Sequence, residues 1–142
     1  MKAFRQAVEA NDHEAIEALL AHEVVFTSPV AFTPYTGKAI TAAILRGVSR
    51  VFTDFHYVRE ITSEDGRDHA LVFEARVGDR TINGCDFLHL DEQGLIDDFA
   101  VMVRPLSAAR ALAEAMGSQF DRIAAEASGA VETADSTHPE PS

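Results

Sequence analysis

The chain holds a single cysteine, Cys85, in 142 residues. That excludes an intrachain disulfide framework and a cysteine zinc cluster. Basic residues are scarce: 12 Lys and Arg stand against 23 Asp and Glu, a formal net charge of −11. A surface this acidic repels phosphate backbones and anionic headgroups, so neither nucleic acid nor a membrane is an expected partner. No apolar run approaches the ~20 residues that a membrane helix needs. The N-terminus, Met1-Lys2-Ala3-Phe4-Arg5, leads into an amphipathic pattern and lacks the apolar core of a signal peptide. A cytoplasmic location is therefore expected. There is no internal repeat at solenoid periods, and no Ser-His-Asp pattern, phosphate loop or dinucleotide fingerprint. His13, His22, His56, His69, His89 and His138 show no metal-ligand spacing. No metal and no cofactor is expected.

What is present suits one domain with one core, since 46% of the residues are hydrophobic. The end of the chain differs. From Ala125 to Ser142 it carries Glu126, Glu132, Asp135 and Glu140 and no Lys or Arg. From Ala127 onward, Val131 and two prolines are its only apolar side chains larger than alanine. Such a segment buries too little surface to offset chain entropy. The expected organisation is a domain over 1–124 and a disordered acidic tail over 125–142.

Two short helices are expected first. Phe4, Ala7 and Val8 form the stripe of one; Asp12 is a good N-cap for the next, which carries Ile16, Leu19 and Leu20. Val24 to Thr27 is a short β-prone run, ended by Ser28-Pro29. A loop through Val30, Phe32 and Tyr35 leads to a helix from Ala39 to Val51, which Thr36 is placed to cap. The period then changes to two. Strands are expected over Phe55–Ile61, Ala70–Val77, Thr81–Leu90 and Leu95–Val103, with a tight turn at Gly78-Asp79 and another at Glu92-Gln93-Gly94. Pro105 marks a helix start, and Leu106, Ala109, Leu112, Ala113, Met116 and Phe120 form the last stripe. Strands in sequence without crossover helices pair antiparallel. The fold class is α+β, a curved antiparallel sheet with helices on its concave side.

Both faces of the long strands carry apolar groups. Ile82, Leu88 and Leu90 share one face, and Cys85 and Phe87 the other; Phe99, Val101 and Val103 oppose Ile96, Ala100 and Met102. A sheet with one wet face would alternate cleanly. Helices cover one face. The other is covered either by a second subunit, as a symmetric homodimer, or by the last helix.

Three motifs carry a family resemblance: Asn11-Asp12-x-x-x-Ile16-x-x-Leu19-Leu20, Thr36-Gly37-Lys38-x-Ile40 and Asp86-Phe87-x-x-Leu90-Asp91-x-x-Gly94-x-Ile96. With the element order, the chain resembles the nuclear transport factor 2-like superfamily, and within it the SnoaL-like proteins, over about residues 1–121. The resemblance implies a cone whose open end holds a small, largely apolar molecule. It does not fix the chemistry, because the superfamily includes ketosteroid isomerases, polyketide cyclases, epoxide hydrolases and non-catalytic binding proteins.

If Gly78-Asp79 is a two-residue turn, Val77 pairs with Arg80, Ala75 with Ile82, Phe73 with Gly84 and Leu71 with Asp86. Asp86 then shares a face with Leu71, Phe73, Ala75, Ile82, Leu88 and Leu90. A carboxyl there loses hydration, which raises its pKa and suits it to act as general acid or oxyanion donor near neutral pH. The alternatives are a buried structural Asp, or a slipped register that turns Asp86 to solvent. The expected ligand contacts are Leu71, Phe73 and Leu88, with Phe99 and Val101 of the next strand, Ser28 and Tyr57. The resemblance places the isomerase oxyanion Asp at Asp86. It places the isomerase base at Ser28, a poor proton acceptor, and the first-helix tyrosine at Phe4, which has no hydroxyl. Epoxide hydrolases of the superfamily carry an Arg where Gly84 stands. The expected function is binding of a small hydrophobic molecule with acid–base chemistry at Asp86, and the alternative is a non-catalytic binding or dimerisation module.

Glu74 is expected on the opposite face, paired with Arg59 or Arg76, unless the hairpin is bulged. Asp97 and Asp98 read as strand-end charges, or one of them as a second acid near Asp86. His56 and Tyr57 fall on opposite faces, so only one reaches the cavity.

Overall fold

The computed structural model describes residues 1–134, with side chains through residue 129. Two short helices open the chain, α1 (Lys2–Glu9) and α2 (His13–Ala18). Asn11 separates them at φ 53°, a left-handed conformation that Asn tolerates. Asp12 caps α2 as expected, its carboxylate accepting the Ala15 N–H at 3.1 Å. Strand β1 (Leu20–Thr27) starts earlier than its β-branched run suggests, and a two-residue strand, β2 (Tyr35–Thr36), lies in the expected loop. Helix α3 (Lys38–Val51) has Gly37 at its N-cap, without a side-chain cap. Thr36 therefore does not cap it and instead pairs with Val25. Then come β3 (Phe52–Thr62), β4 (Asp68–Val77), β5 (Arg80–Leu90), β6 (Ile96–Arg104) and helix α4 (Leu106–Ala134).

The six strands form one sheet in the order β2-β1-β6-β5-β4-β3. The four long strands form the antiparallel meander. β1 runs parallel to β6, and the long connection between them passes through β2, α3 and strands β3 to β5. The β4–β5 hairpin has the expected register, including Leu71 opposite Asp86.

Alternation fails where strands bulge. In β3 the pairing shifts between Tyr57 and Arg59. Tyr57 is turned inward and buried opposite Phe73, while Arg59 and Ile61 sit opposite Val72 and Ala70 on the outer face. Phe55, Tyr57, Arg59 and Ile61 thus do not share one face. In β6 the pairing shifts between His89 and Leu90, so Ile96 falls on the same buried side as Phe99 rather than opposing it. At each of these shifts one extra residue reverses the facing of what lies beyond it, and β3 carries a further shift between Thr53 and His56.

The core lies between the concave sheet face and the helices, around Phe4, Phe26, Phe73, Phe99, Leu20, Ile82 and Ile96. α4 packs along α3 and contributes Ala108, Leu112 and Ile123 to that same core. It does not cover the second sheet face, where Ile61, Phe87 and Met102 remain exposed, Met102 by 64%. α4 also continues past the boundary expected at 124. Ala127 packs against the core, and Arg50 pairs with Glu126 at 2.9 Å. The stretch is rich in alanine, the strongest helix former, which a count of bulky apolar residues overlooks. The rest of the expected tail, 135–142, lies outside the described residues. Among the described residues, no helix is long and apolar enough to cross a membrane.

Candidate ligand cavity and its buried acid

A cavity of about 220 Å³ lies between the sheet and the helices. The sheet wall presents Phe26, Phe52, Phe55, Tyr57, Phe73, Asp86, Phe99 and Val101. The helical wall presents Phe4, Val8 and Ile16 with α3 and α4 residues such as Ile44, Val48, Leu112 and Met116. Ser28, Pro29 and Val30 complete the lining from the loop after β1.

Asp86 is the acid in this wall. The pairing of β5 with β4 and β6 sets it between Leu71 and Val101, and only 7% of it is exposed. Burial pushes its carboxyl up to about 7, against a smaller lowering by a hydrogen bond from Tyr57. The Tyr57 hydroxyl donates to Asp86 Oδ2 at 2.7 Å. Burial, and then the neighbouring Asp86 charge, push the tyrosine well above its ordinary value, so it remains a donor. The slipped-register alternative is excluded by this geometry.

An aromatic layer surrounds the pair. Phe55 stacks on Phe73 with ring centroids 4.8 Å apart and meets Tyr57 edge-on at 5.0 Å. Phe73 lies across the strand at Gly84, where a Cβ would clash with its ring. Glycine there makes room for the ring. At the expected base position, Ser28 lines the cavity, and its Oγ accepts the Val30 N–H at 3.1 Å. Phe4 also lines it and packs edge-on against Phe99.

Of the expected ligand contacts, Ser28, Tyr57, Phe73, Phe99 and Val101 line the cavity together with Asp86. Leu71 and Leu88 do not. They share Asp86's face but are fully enclosed in the core, because facing a concave layer is not the same as reaching its void. Tyr35 and Thr36 are held in β2 away from the lining. Glu74 lies on the outer face of an unbulged hairpin, and its partners are His56 at 3.2 Å and Asn83 at 3.3 Å rather than an arginine. Asp97 pairs with His89 at 2.7 Å, Asp98 is exposed, and neither lines the cavity. Cys85 faces outward beside Met102, and burial raises its thiol pKa.

Sequence reasoning missed two things. The Tyr57–Asp86 bond was one, since it depends on the β3 bulge. The other is a polar set on the helical side: Glu9, Asn11, His13, Ser49 and, at the start of β3, Asp54. His13 Nε2 lies 3.2 Å from Ser49 Oγ. Burial, then the charges of Arg46 and Arg50, hold the His13 pKa below its ordinary value, with Asp12 and Glu126 opposing. The break at Asn11-Asp12, which turns the chain toward the cavity, was the available signal. Among the described residues, no group of three His, Cys, Asp or Glu side chains is arranged to hold a metal ion.

A carboxyl with a pKa of about 7 is divided between its two forms at neutral pH. Protonated, Asp86 donates a hydrogen bond to a ligand oxygen; ionised, it accepts a proton. The comparisons agree with this architecture. Residues 1–99 match the family model described as a SnoaL-like domain. A steroid delta-isomerase from Pseudomonas aeruginosa is 41% identical, with 86% of this chain and 89% of that one covered at a TM-score of 0.81. An uncharacterized protein with a cystatin-like fold from Silicibacter pomeroyi is 37% identical, covering 83% and 82% at a TM-score of 0.79. A protein from Pseudomonas putida described as a polyketide cyclase is 19% identical, covering 75% and 90% at a TM-score of 0.63, and shows the fold alone. No curated protein matches the chain significantly. The chain belongs to the SnoaL-like family of the nuclear transport factor 2-like superfamily.

Proposed function

We propose that the protein is an acid–base enzyme acting on a small, largely apolar carbonyl compound, with Asp86 as acid or oxyanion donor. One observation carries the reading: a buried carboxyl, pushed up to about 7, lies in the wall of an otherwise largely apolar cavity and takes a hydrogen bond from Tyr57. An ordinary solvated Asp is ionised at neutral pH and cannot donate. The likeness to a steroid delta-isomerase supports proton transfer as the class of chemistry. It does not extend to the same residues, since Ser28 and Phe4 stand where the isomerase base and tyrosine are expected. Tyr57, Phe73, Phe99, Val101 and Ser28 are the proposed ligand contacts. Those missing groups favour a second reading, a module that binds such a molecule without converting it.

β-Tetralone, a compact apolar ketone, and β-naphthol, a flat analogue of its enol, separate the two. Wild-type protein in D₂O is expected to exchange the α-protons of β-tetralone above the buffer rate, measured by proton NMR. Asp86→Asn is expected to lower that rate by about a hundredfold. Binding of β-naphthol without any exchange supports the second reading.

The outer sheet face, with Ile61, Phe87 and Met102 exposed around Cys85, is the proposed homodimer surface. Sedimentation is expected to give a dimer; a monomer at micromolar concentration overturns this. A cytoplasmic location accords with a chain holding one cysteine.

A further inference from the structure

The acid at Asp86 needs a partner that accepts a proton, and Ser28 does not supply one. The helical wall offers a different group. Ser49 Oγ lies 2.7 Å from the Arg46 carbonyl, which can only accept, so the hydroxyl's single proton is committed to that oxygen. Ser49 Oγ must then act as acceptor toward His13, 3.2 Å away, and Nε2 must carry the hydrogen. In a neutral imidazole this leaves the lone pair on Nδ1. Among the described residues, Nδ1 has no hydrogen-bond partner. His13 lines the same cavity as Asp86, on the helical wall while the acid stands on the sheet wall. Burial, then the charges of Arg46 and Arg50 of α3, hold the His13 pKa below the ordinary value, against Asp12 before its own helix and Glu126 of α4. Glu9 and Asp54 line the cavity as well.

We propose that His13 is the cavity's proton acceptor, with Nδ1 removing the proton α to the carbonyl of the bound ketone. This deepens the catalytic reading and rests on it. The α C–H bond breaks and an N–H bond forms at Nδ1. The C–H electron pair becomes the new carbon–carbon π bond, and the carbonyl π pair moves onto oxygen, which takes a hydrogen bond from the Asp86 carboxyl. Return of the proton from Nδ1 to the same carbon gives exchange; return to a conjugated carbon moves a double bond. Ser49 is a positioning residue, which holds the tautomer that leaves Nδ1 bare.

The test uses the full chain with β-tetralone in D₂O. His13→Gln retains an N–H for Ser49 but has no basic nitrogen. It is expected to lower exchange by about a hundredfold or more and to leave β-naphthol affinity within about threefold. It is also expected to remove the acidic limb of the rate–pH profile while retaining the alkaline limb set by Asp86. Ser49→Ala is expected to slow exchange by about three- to tenfold, as loss of positioning does. If Asp86→Asn abolishes exchange but His13→Gln stays within about threefold of wild type, the base is not His13 and the acid reading survives. An unchanged Ser49→Ala rate refutes the tautomer argument. If the wild type binds β-naphthol and exchanges nothing, the catalytic reading and this role for His13 fall together.

Discussion

The two walls of the cavity place titratable groups by different means. The sheet wall buries Asp86 by strand register, between paired neighbours on β4 and β6. The helical wall positions His13 by a chain break, a left-handed Asn11 and a bond to Ser49. Burial moves the two in opposite directions, the carboxyl up and the imidazole down, because in each case it disfavours the charged form. The result is a cavity with a carboxyl divided between its two forms at neutral pH on one wall and an imidazole of lowered pKa on the other. Desolvation is the largest cause of both shifts, aided at the imidazole by the charges of Arg46 and Arg50.

The sharpest test of that contrast is the stability cost of the acid. The folded-state pKa of Asp86 lies above its unfolded value of 3.8, at about 7. The penalty for ionising it is absent below the unfolded value, grows as pH rises, and is complete above the folded one. Asp86→Asn is therefore expected to stabilise the protein near pH 8, by about 2–4 kcal/mol, and to change little near pH 4. Thermal unfolding at both pH values reads this; equal effects would mean that the folded-state pKa of Asp86 is not raised. Next in size is the sheet wall's shape. Gly84→Ala forces Phe73 out of its stack with Phe55, and a destabilisation of about 1–3 kcal/mol is expected in urea, with weaker β-naphthol binding. Unchanged stability would show that the ring has room to move. The smallest effect is expected from Tyr57→Phe, which removes the hydroxyl that stabilises ionised Asp86. The Asp86 titration, followed by carboxyl carbon NMR, should move further upward, and stability should fall by about 1 kcal/mol. A downward move would contradict the donor role of Tyr57.

How much of this was legible depended on local rules. The Gly78-Asp79 turn is a two-residue loop, and a two-residue loop sets register, so the pairing of Leu71 with Asp86 followed from counting. The Asp12 cap was equally local. Counting failed where a strand gained a residue, near Val58 and at Asp97, since a bulge leaves no compositional mark in those segments. It also failed to separate Leu71 and Leu88, sealed in the core, from Phe73 and Phe99, which reach the void. Alternation assigns a face but not a depth.

By itself the sequence determined the α+β class, the antiparallel meander, the hairpin register and one acid among apolar neighbours. Periodicity, turn chemistry and hydrophobic pattern act over a few residues, so they can be read from the chain alone. Only the tertiary structure decided that Tyr57 turns in to meet Asp86, that His13 and Ser49 come to the same cavity, that β1 lies parallel to β6, and that α4 joins the helical layer. Each of these joins residues far apart in the chain, and the contact exists only once packing has settled the bulges and the path of the helices.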